Sequence, residues 1–154
     1  MEQKQFEVFQ TAIQWVKDEA ERDYAPIGVR HDQATWGNGE IGTDRVMIGS
    51  VKYAAVCPSA CCLAGNIVLV AGERFVYPVN DDLFDPTGAC VTVDYCVDDE
   101  GHLRQIPDRA AELAGLTDAD LWDYNPFAPS HSAEDLISIA EKITKQHGYT
   151  LVLV

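Results

Sequence analysis

The chain has 154 residues, 47% hydrophobic and 23% charged, which fits one folded domain with one proper core rather than a disordered chain. Its 25 acidic and 11 basic residues give a formal net charge of −14, and the excess is spread along the chain instead of gathered in a tail. Such a surface repels phosphate backbones and anionic membranes, which disfavours direct nucleic-acid or membrane binding and leaves solubility, or a basic protein partner, as the roles open to it.

The opening residues, Met1 to Gln5, are polar and show no apolar h-region or cleavage site, so no signal peptide and a cytoplasmic location are expected. Over Lys4–Tyr24, Phe6, Phe9, Ile13, Val16 and Ala20 recur at helical spacing, and Pro26 and Gly28 stop the pattern. A polar stretch follows with a glycine-rich loop around Trp36. Val46–Val56 mixes β-branched and small residues, as a strand or an irregular connection would. Ala60–Gly72 is apolar almost all round, the pattern of a buried central helix capped by Ser59 and closed by Gly72, with a buried strand over Ile67–Val70 as the rival reading. It is too short to span a bilayer.

Phe75–Val79 reads as a short edge strand, because Pro78 cannot donate to a ladder. Cys90–Val97 alternates like one strand, Asp98–Gly101 is a turn, and His102–Ile106 returns as the second strand of a hairpin. Pro107 opens a short helix that ends at Gly115. Thr117 caps another, with Asp120 at the capping-box position and Leu121 and Trp122 as anchors. Ser132 caps an amphipathic helix over Ala133–His147, and Tyr149–Val154 reads as a final strand. The expectation is a single α+β domain over residues 1–154, with about five helices around a small, mostly antiparallel sheet and a buried central helix near 60–72.

Several landmarks occur together. Asp32-Gln33-Ala34-Thr35-Trp36-Gly37 precedes Cys57-x4-Cys62-Leu63-Ala64-Gly65, and Ala110-Ala111-Glu112-Leu113-Ala114-Gly115-Leu116-Thr117 comes later, with Leu121 and Trp122 close behind. This order resembles a group of small uncharacterised proteins carried by actinobacterial phages and some of their hosts. The chain departs from the group at Asn66, where tryptophan is usual, and over Thr43–Val56, which reads as an insertion. The resemblance implies a phage or actinobacterial context and the cytoplasm of a bacterial host cell, and it carries no activity.

Five cysteines, Cys57, Cys61, Cys62, Cys90 and Cys96, are an odd number, and reduced thiols are expected. Their spacings lack a Cys-x2-Cys knuckle, and a mixed zinc site borrowing His31 or His102 has no support from spacing. No metal or other cofactor is expected. Cys61 and Cys62 are either small buried core residues or helix-start nucleophiles activated by the helix dipole. The nucleophile reading would take His102 or His131 as base, Asp94 or Asn125 to orient it, and Gln33 as oxyanion donor. Asp81-Asp82-x-x-Asp85 and Asp98-Asp99-Glu100 match no EF-hand loop and read as solvated turns. Trp36 either covers the core or anchors a partner, and Gly37-Asn38-Gly39 lacks the rest of a phosphate-binding motif.

The function this supports is an acidic protein–protein interaction module, phage-derived and acting on a host protein, with DNA mimicry as one means and Trp36, Asp98, Asp99 and Glu100 as contact residues. The alternatives are a cysteine-dependent hydrolase or transferase using Cys61 or Cys62, and a structural or assembly protein.

Overall fold

The computed structural model of the chain describes residues 1–22, 29–79 and 84–154. The first helix's expected end at Tyr24, its stop signals Pro26 and Gly28, and the acidic residues Asp81 and Asp82 lie outside them. Among the described residues there are five helices, α1 (Gln3–Arg22), α2 (Leu63–Val70), α3 (Ile106–Leu113), α4 (Asp118–Tyr124) and α5 (Ala133–Gln146). The strands are β1 (Arg30–His31), β2 (Asn38–Ile48), β3 (Val51–Cys61), β4 (Arg74–Pro78), β5 (Cys90–Thr92), β6 (Tyr95–Val97) and β7 (Leu103–Gln105). The fold is α+β. Its antiparallel sheet runs β5-β2-β3-β4-β6-β7, with β1 alone adding in parallel against the end of β3. None of these helices is long and apolar enough to cross a membrane.

Val46–Val56, which left strand and irregular connection both open, belongs to the hairpin β2–β3. Ile48 pairs with Val51 across a two-residue turn, whose first residue, Gly49, has φ +61°. The stretch that reads as an insertion forms the outer part of this hairpin. β3 is the spine of the sheet, flanked by β2 on one side and by β4 and then β1 on the other.

Four expectations are corrected. Cys90–Val97 is two strands, not one: β5 pairs with β2 and β6 with β4, while buried Val93 and exposed Asp94 cross between them. Because these neighbours in sequence sit on opposite flanks of the β2–β3–β4 unit, the sheet curls, and the Val93 N–H donates to the Gly37 carbonyl at 2.7 Å across the seam. β4 is interior and not an edge. Pro78 is tolerated because it is the last residue of the strand. The central helix starts at Leu63, since Ala60 and Cys61 complete β3, so Cys62 and not Ser59 is its N-cap. Lastly, Tyr149–Val154 joins no sheet. The Val152 and Val154 N–H groups donate to the Oε1 atoms of Gln10 and Gln14 on α1, each at 2.9 Å. Four helical residues rise about 6 Å and two extended residues about 6.6 Å, so glutamines four apart on α1 match amides two apart on the tail.

Apolar periodicity shapes the helical core. Phe9, Ala12, Ile13 and Val16 of α1 meet Ile67 and Val68 of α2, Ala110 of α3 and Leu136, Ala140 and Ile143 of α5 in one core. α4 and α5 begin with complete capping boxes, Thr117 with Asp120 and Ser132 with Asp135. α2, α3 and α5 each end in a Schellman arrangement with a left-handed glycine, at Gly72, Gly115 and Gly148.

A buried ion pair fixes the end of α2. Arg109 on α3 donates through Nε to both carboxylate oxygens of Glu73, at 2.9 and 3.0 Å, and through Nη2 as well. The two side chains are 9% and 6% exposed. Arg109 also reaches Glu112 and Asp99, and Arg104 bridges Glu112 to Asp98. Removing one member of the pair strands a buried charge. Glu73→Gln or Arg109→Met should therefore lower stability by about 3–5 kcal/mol in denaturant titration, whereas the double replacement Glu73→Leu with Arg109→Met should lose much less. Equal losses in single and double variants would show that the pair is not the element being disturbed.

Candidate functional site

Two of the landmark segments of the sequence, 32–37 and 62–65, meet at one junction, where the loop 32–38 lies on the start of α2. The Asp32 N–H donates to the Cys61 carbonyl at 2.8 Å, and the Cys62 N–H donates to the Thr35 carbonyl at 2.7 Å. Gln33 is buried. Its amide nitrogen donates to the carbonyls of Pro126 and Ala128, each at 3.0 Å, and its Oε1 accepts the Leu63 N–H at 3.2 Å. One glutamine thus ties three segments together and satisfies a donor of the first turn of α2. The loop approaches so closely that a Cβ on Gly65 would sit 2.2 Å from the Trp36 carbonyl oxygen, and one on Gly37 would sit 2.6 Å from the Phe75 ring. Gln33 is a structural clamp in this arrangement, and its amide is engaged on both sides.

Trp36 is half-buried and meets Phe127 edge to face, with centroids 6.5 Å apart and ring planes at 89°. Beside them opens a cleft of about 320 Å³, lined also by Thr35, Thr92, Asp94 and Pro129. Asp94 reaches it because the crossing between β5 and β6 brings the seam of the sheet against the Trp36 loop.

The cysteines divide by burial. Cys61, Cys62 and Cys96 are buried, and Cys57 and Cys90 are exposed. Burial pushes the Cys61 thiol far above its ordinary range. Burial also pushes Cys62 up to about 11, although the nearby backbone N–H groups of Gly65 and Ala64 pull the other way without closing a cap hydrogen bond. Burial, and then the Glu73 carboxylate, push Cys96 up to about 12. Desolvation outweighs the helix dipole at the start of α2, and these thiols stay protonated at neutral pH.

The histidine that meets the cysteines is His31, opposite Cys61 in the β1–β3 pair. The Cys61 thiol donates to Asn66 Oδ1 at 3.0 Å, and Asn66 Nδ2 lies 3.4 Å from His31 Nδ1. The amide occupies the imidazole lone pair, so the ring is not placed to take the thiol proton. His31 Nε2 is buried without a hydrogen-bond partner among the described residues. Burial lowers the His31 pKa, with Glu19 and Asp32 opposing less strongly. His102 instead faces Asp98 and Glu100, and His131 Nε2 lies 2.9 Å from the Asn125 carbonyl oxygen. The structure brings neither to a cysteine. Among the described residues no three His, Cys, Asp or Glu side chains are grouped to hold a metal ion.

The acidic turn is mostly engaged internally. Asp98, whose side chain is 5% exposed, accepts the backbone N–H groups of His102 and Glu100 and meets Arg104; the His102 N–H above all holds its carboxyl below the usual range, with the other two contacts adding less. Asp99 reaches Arg109, and only Glu100 stands clear apart from His102.

Trp122, expected as a core anchor, is 88% exposed. It shares a helical face with Asp118 four residues back rather than with Leu121, which packs on the core. α4 itself is rigidly mounted. Asp120 meets His147 at 2.7 Å, Gln146 donates to the Tyr124 hydroxyl at 2.6 Å, and Gln33 holds the loop that follows. The helical spacing of Trp122 from Asp118 was the available signal, overridden by the habit of burying tryptophan.

No protein-family model, curated protein or solved structure matches the chain.

Two outcomes follow from the thiols and from His31. Native alkylation read by mass spectrometry should modify Cys57 and Cys90 at ordinary rates, while Cys61, Cys62 and Cys96 react only as fast as the protein unfolds; a fast reaction at Cys62 below neutral pH would overturn this burial account. Because His31 is held neutral when folded, its contribution to stability is present above the unfolded-state pKa of about 6.5 and is lost as the pH falls from there toward the lower folded value. Thermal melts between pH 8 and pH 5 should therefore fall more steeply for the natural chain than for His31→Gln, and parallel curves would contradict the assignment.

Proposed function

We propose that the chain is an acidic protein-binding module that docks a basic surface of a partner protein. Trp122 carries this reading: a large indole, 88% exposed, stands on a capped and pinned helix beside the exposed carboxylates of Asp118 and Asp123. Interface hot spots are enriched in tryptophan, and an aromatic whose mount is already rigid loses little freedom on binding. The net charge of −14 adds steering toward a positively charged partner.

The resemblance to phage and host proteins makes a bacterial host protein the partner class, and a DNA-binding protein fits the charge best, since a carboxylate-rich face presents negative charge where DNA would. This replaces Trp36 by Trp122 as the main aromatic anchor. Trp36 is half-covered by its own fold, and the turn at Asp98–Glu100 contributes chiefly through Asp99 and Glu100. The cysteine-dependent alternative draws no support from the buried, protonated thiols of Cys61 and Cys62.

Immobilised chain should retain a host protein from an actinobacterial lysate at moderate salt and release it as the salt is raised. Trp122→Ala should weaken retention of that protein at least tenfold, about 1.4 kcal/mol or more, and Asp118→Asn with Asp123→Asn should make it less salt-sensitive. Retention unchanged by Trp122→Ala, in a variant whose melting temperature is also unchanged, would remove the observation on which the reading stands.

A further inference from the structure

We infer that the cleft at the seam of the sheet, lined by Trp36, Phe127, Thr35, Thr92, Asp94 and Pro129, receives one arginine side chain of the partner. The inference rests on the reading of the chain as a module for a basic partner, and it adds a second anchoring point with its own chemistry.

Charge decides the sign of the occupant. Among the described residues, Asp94 is the one ionisable side chain that lines the cleft, and its carboxylate has no hydrogen bond or ion pair. Its backbone carbonyl is engaged, accepting the Ile106 N–H at 3.0 Å. Elsewhere Glu73, Glu112, Asp98 and Asp99 already face arginines of this chain, while no cation among the described residues lines the cleft to answer an anion. The aromatic pair decides the shape. Trp36 and Phe127 cross at 89° and form a right-angled corner against which a flat cation can lie. A guanidinium is planar, weakly hydrated and able to present two parallel N–H groups to a carboxylate, so it satisfies both the aromatic wall and Asp94, which a compact ammonium does less well.

Size and stiffness agree with this. A cavity of about 320 Å³ stands at the small end of ligand sites and holds one side chain rather than a larger molecule. Its walls are set before anything binds, because Gln33 holds the segment carrying Phe127 and Pro129 through the Pro126 and Ala128 carbonyls, while Gly65 and Gly37 seat the loop that carries Trp36. Thr35 Oγ1 donates to Asn38 Oδ1 at 3.1 Å, which leaves its oxygen free to accept a further N–H.

The test uses the full chain, labelled for NMR, with N-acetyl-argininamide as probe and its neutral isostere N-acetyl-citrullinamide as control. Saturable shifts at the amides of Thr35, Thr92 and Asp94 and at the Trp36 indole N–H are expected with the arginine probe and not with citrulline. Asp94→Asn should abolish the saturation while leaving the rest of the spectrum in place, and Asp99→Asn should not. No saturable shift at these residues, equal shifts with both probes, or shifts spread over the acidic surface and unchanged in Asp94→Asn would each overturn the inference. Capture through Trp122 is read separately. If it persists while arginine fails to bind, only the cleft assignment falls; if arginine binds while Trp122→Ala changes nothing, the Trp122 reading falls and the cleft stands.

Discussion

The approach of the Trp36 carbonyl to Gly65 sets the distance between the loop 32–38 and the first turn of α2, and much of the fold depends on that distance. With the loop so close, Gln33 can reach Leu63 on one side and Pro126 and Ala128 on the other. The same seating puts the Gly37 carbonyl where the crossing strand at Val93 finds a partner. A side chain at position 65 would lift the loop, break the glutamine's contacts and open the seam of the sheet. Gln33, Trp36, Gly37, Cys62 and Gly65, all landmarks of the sequence, therefore meet at a structural joint. They need not share a reaction to be needed together.

The same joint explains why the cysteines look catalytic in sequence and inert in structure. A cysteine at a helix start can be an activated nucleophile, yet here Cys61 ends β3, the helix start at Cys62 is roofed by the loop, and burial outweighs the dipole. Asn66 then accepts a hydrogen bond from the Cys61 thiol and covers the imidazole nitrogen of His31 as a donor. Charge shows a similar division. Glu73, Asp98, Asp120 and Asp135 work inside the fold, on arginines, turn amides, a histidine and helix caps, whereas Asp94, Asp118 and Asp123 remain toward solvent.

Local chemistry made the last two helices legible in the sequence, and missed the start of α2, where Ala60 and Cys61 belong to β3. Thr117 with Asp120 and Ser132 with Asp135 mark their helix starts by side-chain geometry alone, and Gly72, Gly115 and Gly148 mark the ends. The errors lay where tertiary contacts overrule a local pattern. Cys90–Val97 alternates throughout, but the curl of the sheet assigns its two halves to different neighbours. Tyr149–Val154 has strand composition, yet its amides are met by glutamines of α1, an arrangement that no periodicity within the tail reveals. The cleft was only half visible. Trp36 and Asp94 were both singled out, but nothing in their separation along the chain shows that the seam brings them together.

The order of the strands also governs how the molecule behaves toward its own copies. The strands at the two ends of the main path, β5 and β7, are three residues long each, β1 beside β3 has only two, and β7 carries Arg104 at its centre. The long strand β3 lies within the sheet, β2 is covered by β5 over Asn38–Glu40, and farther along β2 Arg45 ties Asp85 and Thr87 across its flank. Short or charged margins are poor templates for another strand. The short or charged margins at β5 and β7 thus offer little to another copy, and the negative charge of a chain nearly half hydrophobic by composition adds repulsion between copies at a distance.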